Sequence, residues 1–231
     1  QPTVAVLATG DELLRFDEPL TPGRIRNSNE PMLVSQIRQA DAVPVPLGIG
    51  RDNVADLRSR IRAGLTSDFL VLSGGVSAGT LDLVPAELAA AGVVEVFHKI
   101  RMKPGKPLWF GRLQTDTHTC CVFGLPGSPV SSLVCFELFV KTALRQFVGR
   151  TTTLPPYVPV RLAAAIGVRG DREILMPCRF EHRDGQILAT AVRWGGSADL
   201  RSTAAAEWLC RLRPDRSEYA AGDIVPAILW D

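Results

Sequence analysis

No stretch of this 231-residue chain is apolar for the length a membrane span requires, and no signal-peptide pattern stands at its start, so a membrane partner and a secretory route are both disfavoured. An excess of either charge is also missing. The 26 Lys and Arg against 24 Asp and Glu leave a net charge of +2, too mild for nucleic acid or an anionic membrane as the main partner. The five cysteines (Cys120, Cys121, Cys135, Cys178 and Cys210) show neither a Cys-x-x-Cys spacing nor a zinc pattern. An odd number in a domain of ordinary size speaks for reduced thiols and a cytoplasmic setting. The three histidines, His98, His118 and His182, are scattered without partner spacing, which argues against a Ser-His-Asp or Cys-His catalytic arrangement. There is no internal repeat and no low-complexity tract.

What is present is a chain that can fill a core. Hydrophobic residues make up 46% of it, so disorder is excluded, and its length suits one large domain or a medium one followed by a small one. The chain begins at Gln1 and enters its first strand almost at once, as expected of a fragment. Residues 3–9, 43–49 and 69–72 read as buried strands. Between them, Ser28 or Asn29 can cap a helix with Met32, Leu33, Ile37 and Ala40 on one face. Asp52 or Asn53 can cap another, with Val54, Leu57, Ile61 and Leu65 on one face. A helix over 83–91, strand-like segments over 93–97 and on to Met102, short runs at 107–111 and 120–123, and a long apolar helix opened by Ser128-Pro129 complete a region 1–150. Strands alternating with helices predict a three-layer α/β/α fold around a mostly parallel sheet, whose ligands bind beyond the carboxyl ends of the strands. After the Thr- and Pro-rich stretch 151–156 the texture changes to short strands at 158–162, 173–180 and 186–192, a short helix around 204–212 and a last strand near 224–229. This predicts a small all-β, barrel-like domain over 151–231, with Trp194, Trp208 and Trp230 in its core.

Four segments carry chemistry. The first is Thr9-Gly10-Asp11-Glu12-Leu13, at the end of the first strand, where Glu12 could hold a metal ion or accept a proton; the acidic pair could equally favour a helix start. The second is the loop from Ser73 to Asp82, with Gly74, Gly75, Ser77 and Gly79, between a buried strand and a helix. Glycines let backbone approach a phosphate and helix N–H groups point toward it, while Asp82 sits alongside as an acid or a helix cap. The third is Lys99-Ile-Arg-Met-Lys103-Pro-Gly-Lys106. On a continuous strand, Lys99, Arg101 and Lys103 share a face, and Lys106 follows a Pro-Gly turn. Such a cluster needs solvent or an anion to relieve it. The fourth is Gly124-Leu-Pro126-Gly127-Ser-Pro-Val-Ser131-Ser132, a capped helix start whose hydroxyls and free N–H groups could form a second, uncharged oxyanion site. In the β region, Arg172 and the small residues around Ser197 could reach a neighbouring site or simply form turns.

Taken together, Thr9-Gly-Asp-Glu-Leu13, Ser28-Asn29, Ser73-Gly-Gly-Val-Ser77 with Gly79 and Asp82, Lys103-Pro-Gly-Lys-Pro107, and Gly124-Leu-Pro-Gly127 with Pro129-Val-Ser131 resemble, in order and spacing, the MoeA and gephyrin E-domain family of molybdenum cofactor biosynthesis. The β region matches it through Arg172 and the Gly-Gly-Ser at Ser197. The resemblance implies a molybdopterin-binding α/β domain and a transferase that takes adenylylated molybdopterin and molybdate, releases AMP and is assisted by Mg²⁺. It also implies a homodimer when full length, with further domains upstream whose absence would leave this piece weak or inactive. Carried onto this chain, it implies catalytic roles for Glu12, Asp52, Asp82, Lys99 and Lys103, and metal binding by Glu12 and Asp82. Substrate and phosphate contacts fall to Thr9, Gly10, Ser73, Gly74, Gly75, Ser77, Gly79, Lys106, Pro126, Gly127 and Ser131, and molybdate contacts to Arg172 and Ser197, since an oxyanion seeks Ser, Arg and Lys donors. Three positions depart from the family pattern: Asn27 stands where Asp is usual, Thr80 follows Gly79 where Asp is usual, and Ser128 stands in place of Asn. The competing readings are a molybdopterin adenylyltransferase or nucleotide hydrolase on the same α/β domain, and a non-catalytic, gephyrin-like scaffold.

Overall fold

A computed structural model describes residues 1–76, 83–183 and 185–229. Its first sheet has the spatial order β2-β1-β3-β6-β5-β4, from β1 (Thr3–Thr9), β2 (Val43–Gly50), β3 (Phe69–Ser73), β4 (Val94–His98), β5 (Trp109–Gln114) and β6 (Thr119–Leu125). β1 pairs parallel with β2 and β3, and β3 parallel with β6. β5 runs antiparallel to both β6 and β4, so five of the six strands point the same way.

Alternation along the strands splits the core between the two faces. Val4 and Val6 of β1 and Phe69 and Val71 of β3 face Leu33 and Ile37 of helix α1 (Asn29–Gln39) and the apolar side of the long helix α4. Ala5, Leu7, Leu70 and Leu72 face Leu57 and Ile61 of α2 (Val54–Gly64) and Val84 and Leu88 of α3 (Leu83–Ala90). Val54 is 41% exposed and lies off the buried stripe predicted for it. α4 opens with Pro129 at its first turn and is α-helical over Pro129–Cys135 and Lys141–Phe147, with a π-helical stretch, Phe136–Val140, between.

The rest of the chain forms a closed five-stranded barrel. Strands β7 (Tyr157–Leu162), β8 (Glu173–Arg183), β9 (Gln186–Ala191), β10 (Trp208–Leu212) and β11 (Ile224–Leu229) follow the order β9-β7-β11-β10-β8 and close through β8–β9 pairing. Val160, Leu162, Ile174, Cys178, Cys210, Leu212, Val225 and Ala227 fill its interior. Leu175, Leu209 and Ile228 point outward from the same strands and join the core of the α/β part. Trp208 packs against the barrel core, whereas Trp194 packs against the α/β core, contrary to the expectation for it. Trp230 lies outside the described residues. The helix predicted over 204–212 is also corrected: the helix is Leu200–Thr203, and Trp208–Leu212 is a strand. Leu209 faces the α/β core while Cys210 and Leu212 face the barrel. Burial on both sides erases the alternation that marks a strand in sequence.

Among the described residues no helix is long and apolar enough to cross a membrane. All five cysteines are free thiols. Burial pushes Cys120 up to about 12, as expected for a structural rather than reactive thiol.

Candidate functional site at the carboxyl edge of the sheet

Five strands pointing one way bring their carboxyl ends to one edge, and four of the motif segments leave the sheet there. The register shows it: Thr9 lies opposite Gly50, Ser73 opposite both Ala8 and Leu125, and Trp109 opposite both Gly124 and His98. The loops after β1, β2, β3, β4 and β6 therefore start side by side.

Direct contacts tie the central loops together. Asn29, at the start of α1, donates from Nδ2 to Ser73 Oγ (2.6 Å) and to the Gly127 carbonyl (2.8 Å). Gly127 O can only accept, so this fixes the amide's orientation and leaves Asn29 Oδ1 buried without a hydrogen-bond partner. A buried acceptor of this kind is costly unless a ligand or water supplies a donor. The Ser73 and Thr9 side chains are 2% and 5% exposed, and Thr9 Oγ1 donates to the Ser73 carbonyl at 3.5 Å. Gly74 donates its N–H to the Leu125 carbonyl at 3.0 Å, so that N–H closes the loop against β6 rather than facing outward as a phosphate donor. Its φ is +96°, and a Cβ there would lie 2.7 Å from the Thr9 carbonyl oxygen, so the approach of these two loops requires glycine. Ser77, Gly79 and Asp82 lie outside the described residues.

The acidic segment stands on the β1–β2 side. The N–H of Asp11 donates to Asp52 Oδ2 and the N–H of Asp52 to Asp11 Oδ1, both at 3.2 Å, so these exposed carboxylates lie next to each other. Arg51 holds the same loop through the carbonyls of Gly10, Asp11 and Leu13. Glu12 is exposed and folds back over Gly10, where a Cβ would collide with its carboxylate. Among the described residues no group of three or more His, Cys, Asp and Glu could hold a metal ion.

On the other side, the lysine segment departs from the expected geometry. β4 ends at His98, and Lys99 has a left-handed φ of 69°. Lys99 N then bonds Leu108 O, and Ile100 N bonds Lys106 O. Residues 99–108 thus form a loop, and Lys99, Arg101 and Lys103 do not share one face of a continuous strand. The loop still leaves at the same edge, because His98 Nε2 donates to the Val76 carbonyl of the glycine segment at 3.1 Å. Lys99, Lys103 and Lys106 are all exposed. Within the loop, Met102–Lys103 pairs parallel with Glu173–Ile174 of the barrel, and Glu173 N donates to Arg101 O. Half-buried Arg172 is therefore a chain neighbour of that seam.

The fourth segment opens α4. Ser131 and Ser132 are buried, and Ser132 Oγ donates to the Pro126 carbonyl. Val130 N–H is taken by the Ser197 carbonyl at 3.0 Å. The helix start is therefore less open than the free N–H groups predicted for it, and the contact places Ser197 beside Ser131. Asp199 holds this crossing by accepting from Gly195 N and Ser202 N. The Ser202 and Gly195 hydrogen bonds hold the Asp199 carboxyl below the usual range.

Residues 5–146 match the family described as "Probable molybdopterin binding domain", and residues 159–230 match "MoeA C-terminal region (domain IV)". The chain belongs to the MoeA family. It is 32% identical to the molybdopterin molybdenumtransferase of Bacillus subtilis over 99% of its own length and 53% of that relative. It is 34% identical to molybdopterin molybdenumtransferase 2 of Mycobacterium tuberculosis over 99% of its length and 56% of that protein. The crystal structure of a MoeA protein of molybdopterin biosynthesis from Pyrococcus horikoshii superposes with a TM-score of 0.82 at 27% identity, covering all of this chain and 55% of that one. The chain thus spans about half the length of the MoeA relatives it matches. Of the departures from the family pattern, Asn27 has a visible local role. Its Oδ1 accepts from Glu30 N and its Nδ2 donates to Glu30 Oε2, so its side chain satisfies one of the free N–H groups of the first turn. Ser28 stands at the N-cap position of α1, as expected, but makes no side-chain cap bond; the side chain that accepts from the first turn is Asn27. In α2 the cap is Asn53, which accepts from Asp56 N. Asn29 was legible in sequence as part of the Ser-Asn motif and as a possible cap, not as a bridge. Its bridging of two loops 44 and 98 residues away leaves no local sequence signal.

Proposed function

We propose that this chain is the pterin- and phosphate-handling part of a molybdopterin molybdenumtransferase, which places molybdate on adenylylated molybdopterin with release of AMP. The observation that carries the reading is the meeting of Ser73 and Gly127 through the Asn29 amide, with Thr9 and Gly74 packed beside them, at the edge from which the lysine and acidic loops also leave. Lys99, Lys103 and Lys106 would neutralise the phosphoanhydride and the departing AMP, while the glycine segment lets phosphate oxygens approach backbone. The unpartnered Asn29 Oδ1 would accept from a ligand N–H or O–H. Ser131, Ser197 and Arg172 offer hydroxyl and guanidinium donors for molybdate, a substrate here and not a resident group. Glu12 is a hard oxygen donor of the kind Mg²⁺ prefers. It would hold the cation with Asp82 and with phosphate oxygens completing the shell, and the cation would offset negative charge on the leaving phosphate. Asp52 would act beside them. The complete protein would work as a homodimer.

The test is molybdoenzyme complementation by the complete protein carrying Lys103→Ala. Activity is expected to fall about a hundredfold or more, as on loss of a charged transition-state donor, with an unchanged melting temperature because Lys103 is exposed. Complementation at the parental level would overturn the assignment.

A further inference from the structure

Beside the rim lies a cavity of about 820 Å³ that none of the predicted contacts uses, within the range of roughly 300–1,000 Å³ usual for small-molecule sites. It is framed by the first turns of α1 and α2, the carboxyl half of β2 and the loop after β1. It is continuous with the rim because Arg51 both lines it and holds the Gly10–Leu13 loop. Pro31, Val34, Leu47 and Ile49 form the apolar part of its lining, with Phe16, 79% exposed, also lining it.

The polar chemistry of the cavity is one-sided. Its three guanidinium groups are directed at protein acceptors: Arg15 at Asp17, Arg51 at three carbonyls, and Arg60 at Asp56 and the Leu47 carbonyl. Asp56 is matched by Arg60 and by the N–H of Arg51, which hold its carboxyl below the ordinary range. Glu30 differs. It is half-buried, with Asn27 Nδ2 as its side-chain partner at 3.0 Å and the Gly48 N–H as a backbone partner. Burial pushes its carboxyl up against the opposing pull of Asn27, Arg15, the Gly48 N–H and Arg60. A carboxylate has about four lone-pair sites, so acceptor capacity remains after these two bonds. Against the Glu30 carboxylate a phosphate would meet like charge; a flat ring with adjacent N–H donors on its edge would not.

We propose that this cavity binds the pterin ring of the substrate, with Glu30 accepting from the 2-amino group and the neighbouring ring N–H. This rests on the transferase reading and deepens it by separating the two ends of the ligand: ring beside α1, phosphates at the rim. Adenine, the other flat ring of that substrate, offers a donor beside an acceptor on its pairing edge and can satisfy only one carboxylate oxygen. Phe16 stacks over the ring.

The test is fluorescence titration of the 231-residue chain with 6-hydroxymethylpterin, with adenosine as the second arm. The pterin is expected to saturate and adenosine to bind at least tenfold more weakly. Glu30→Gln should weaken the pterin at least tenfold, and Phe16→Ala, at an exposed position, a few-fold. Lys103→Ala should leave pterin affinity within about twofold. Equal or tighter adenosine binding, no saturation by millimolar pterin, or an undiminished affinity in a folded Glu30→Gln chain would each overturn the proposal. Failure here together with loss of complementation by Lys103→Ala overturns the pterin site and leaves the transferase reading standing. Pterin binding together with full complementation by Lys103→Ala does the reverse.

Discussion

At the rim of the parallel sheet, loops from distant parts of the chain meet through single polar contacts and one glycine-sized gap, whereas the barrel is closed by continuous strand ladders around an interior of its own. The contrast teaches where each part is vulnerable. In the barrel a lost contact is shared among many apolar neighbours. At the rim a single side chain sets the separation of two loops, so small changes there move the groups that would meet a ligand.

The sharpest way to break this contrast is Gly74→Val. A side chain there collides with the Thr9 backbone and strains a positive φ, so a loss of more than about 4 kcal/mol is expected, read as a collapse of the thermal midpoint. Leu175→Ala comes next. Leu175 leaves the barrel to join the α/β core at 1% exposure, and its truncation is expected to cost about 2–5 kcal/mol in denaturant unfolding. A single shared transition in that experiment would show that the seam binds both parts into one cooperative unit; two separated transitions would dissolve the comparison in its present form. Asn29→Ala removes two bridging hydrogen bonds and should cost about 2 kcal/mol, with amide exchange rising in the Ser73–Val76 and Pro126–Ser128 segments and staying level in the barrel.

Glu30→Gln is the smallest effect and carries a sign. Burial raises the Glu30 carboxyl against the opposing pull of Asn27, Arg15, the Gly48 N–H and Arg60. A raised folded value means that the folded chain holds the proton more tightly than the unfolded one. The stability this supplies is present below the ordinary glutamate value and is lost as pH rises through the folded value. The variant should therefore gain on the parent as pH rises from about 4 to about 8, followed as the difference in melting temperature.

Much of this was legible in sequence. Buried strands at 3–9 and 69–72 stood out because both faces of a parallel strand are apolar, and the order of the loops followed from strands alternating with helices. Three things escaped. The strand Trp208–Leu212 reads as a helix because its outward residues are buried in a second core. The lysine segment turns at Lys99 because its backbone bonds to Leu108 and Lys106 rather than to a neighbouring strand. The capping side chain and the clamp at the start of α1 are Asn27 and Asn29, two residues apart, and only the three-dimensional neighbours of each tell them apart.

The two-residue pairing of Met102–Lys103 with the barrel's Glu173–Ile174 places a piece of the early chain inside the hydrogen-bonding pattern of the late chain. Together with the apolar contacts of Leu175, Leu209 and Ile228, it means that severing the polypeptide at the exposed 151–156 connector would not release the halves. A nicked molecule should still migrate as one particle, and the exposed lysines of the 99–108 loop would keep their place without a covalent link between its two pieces.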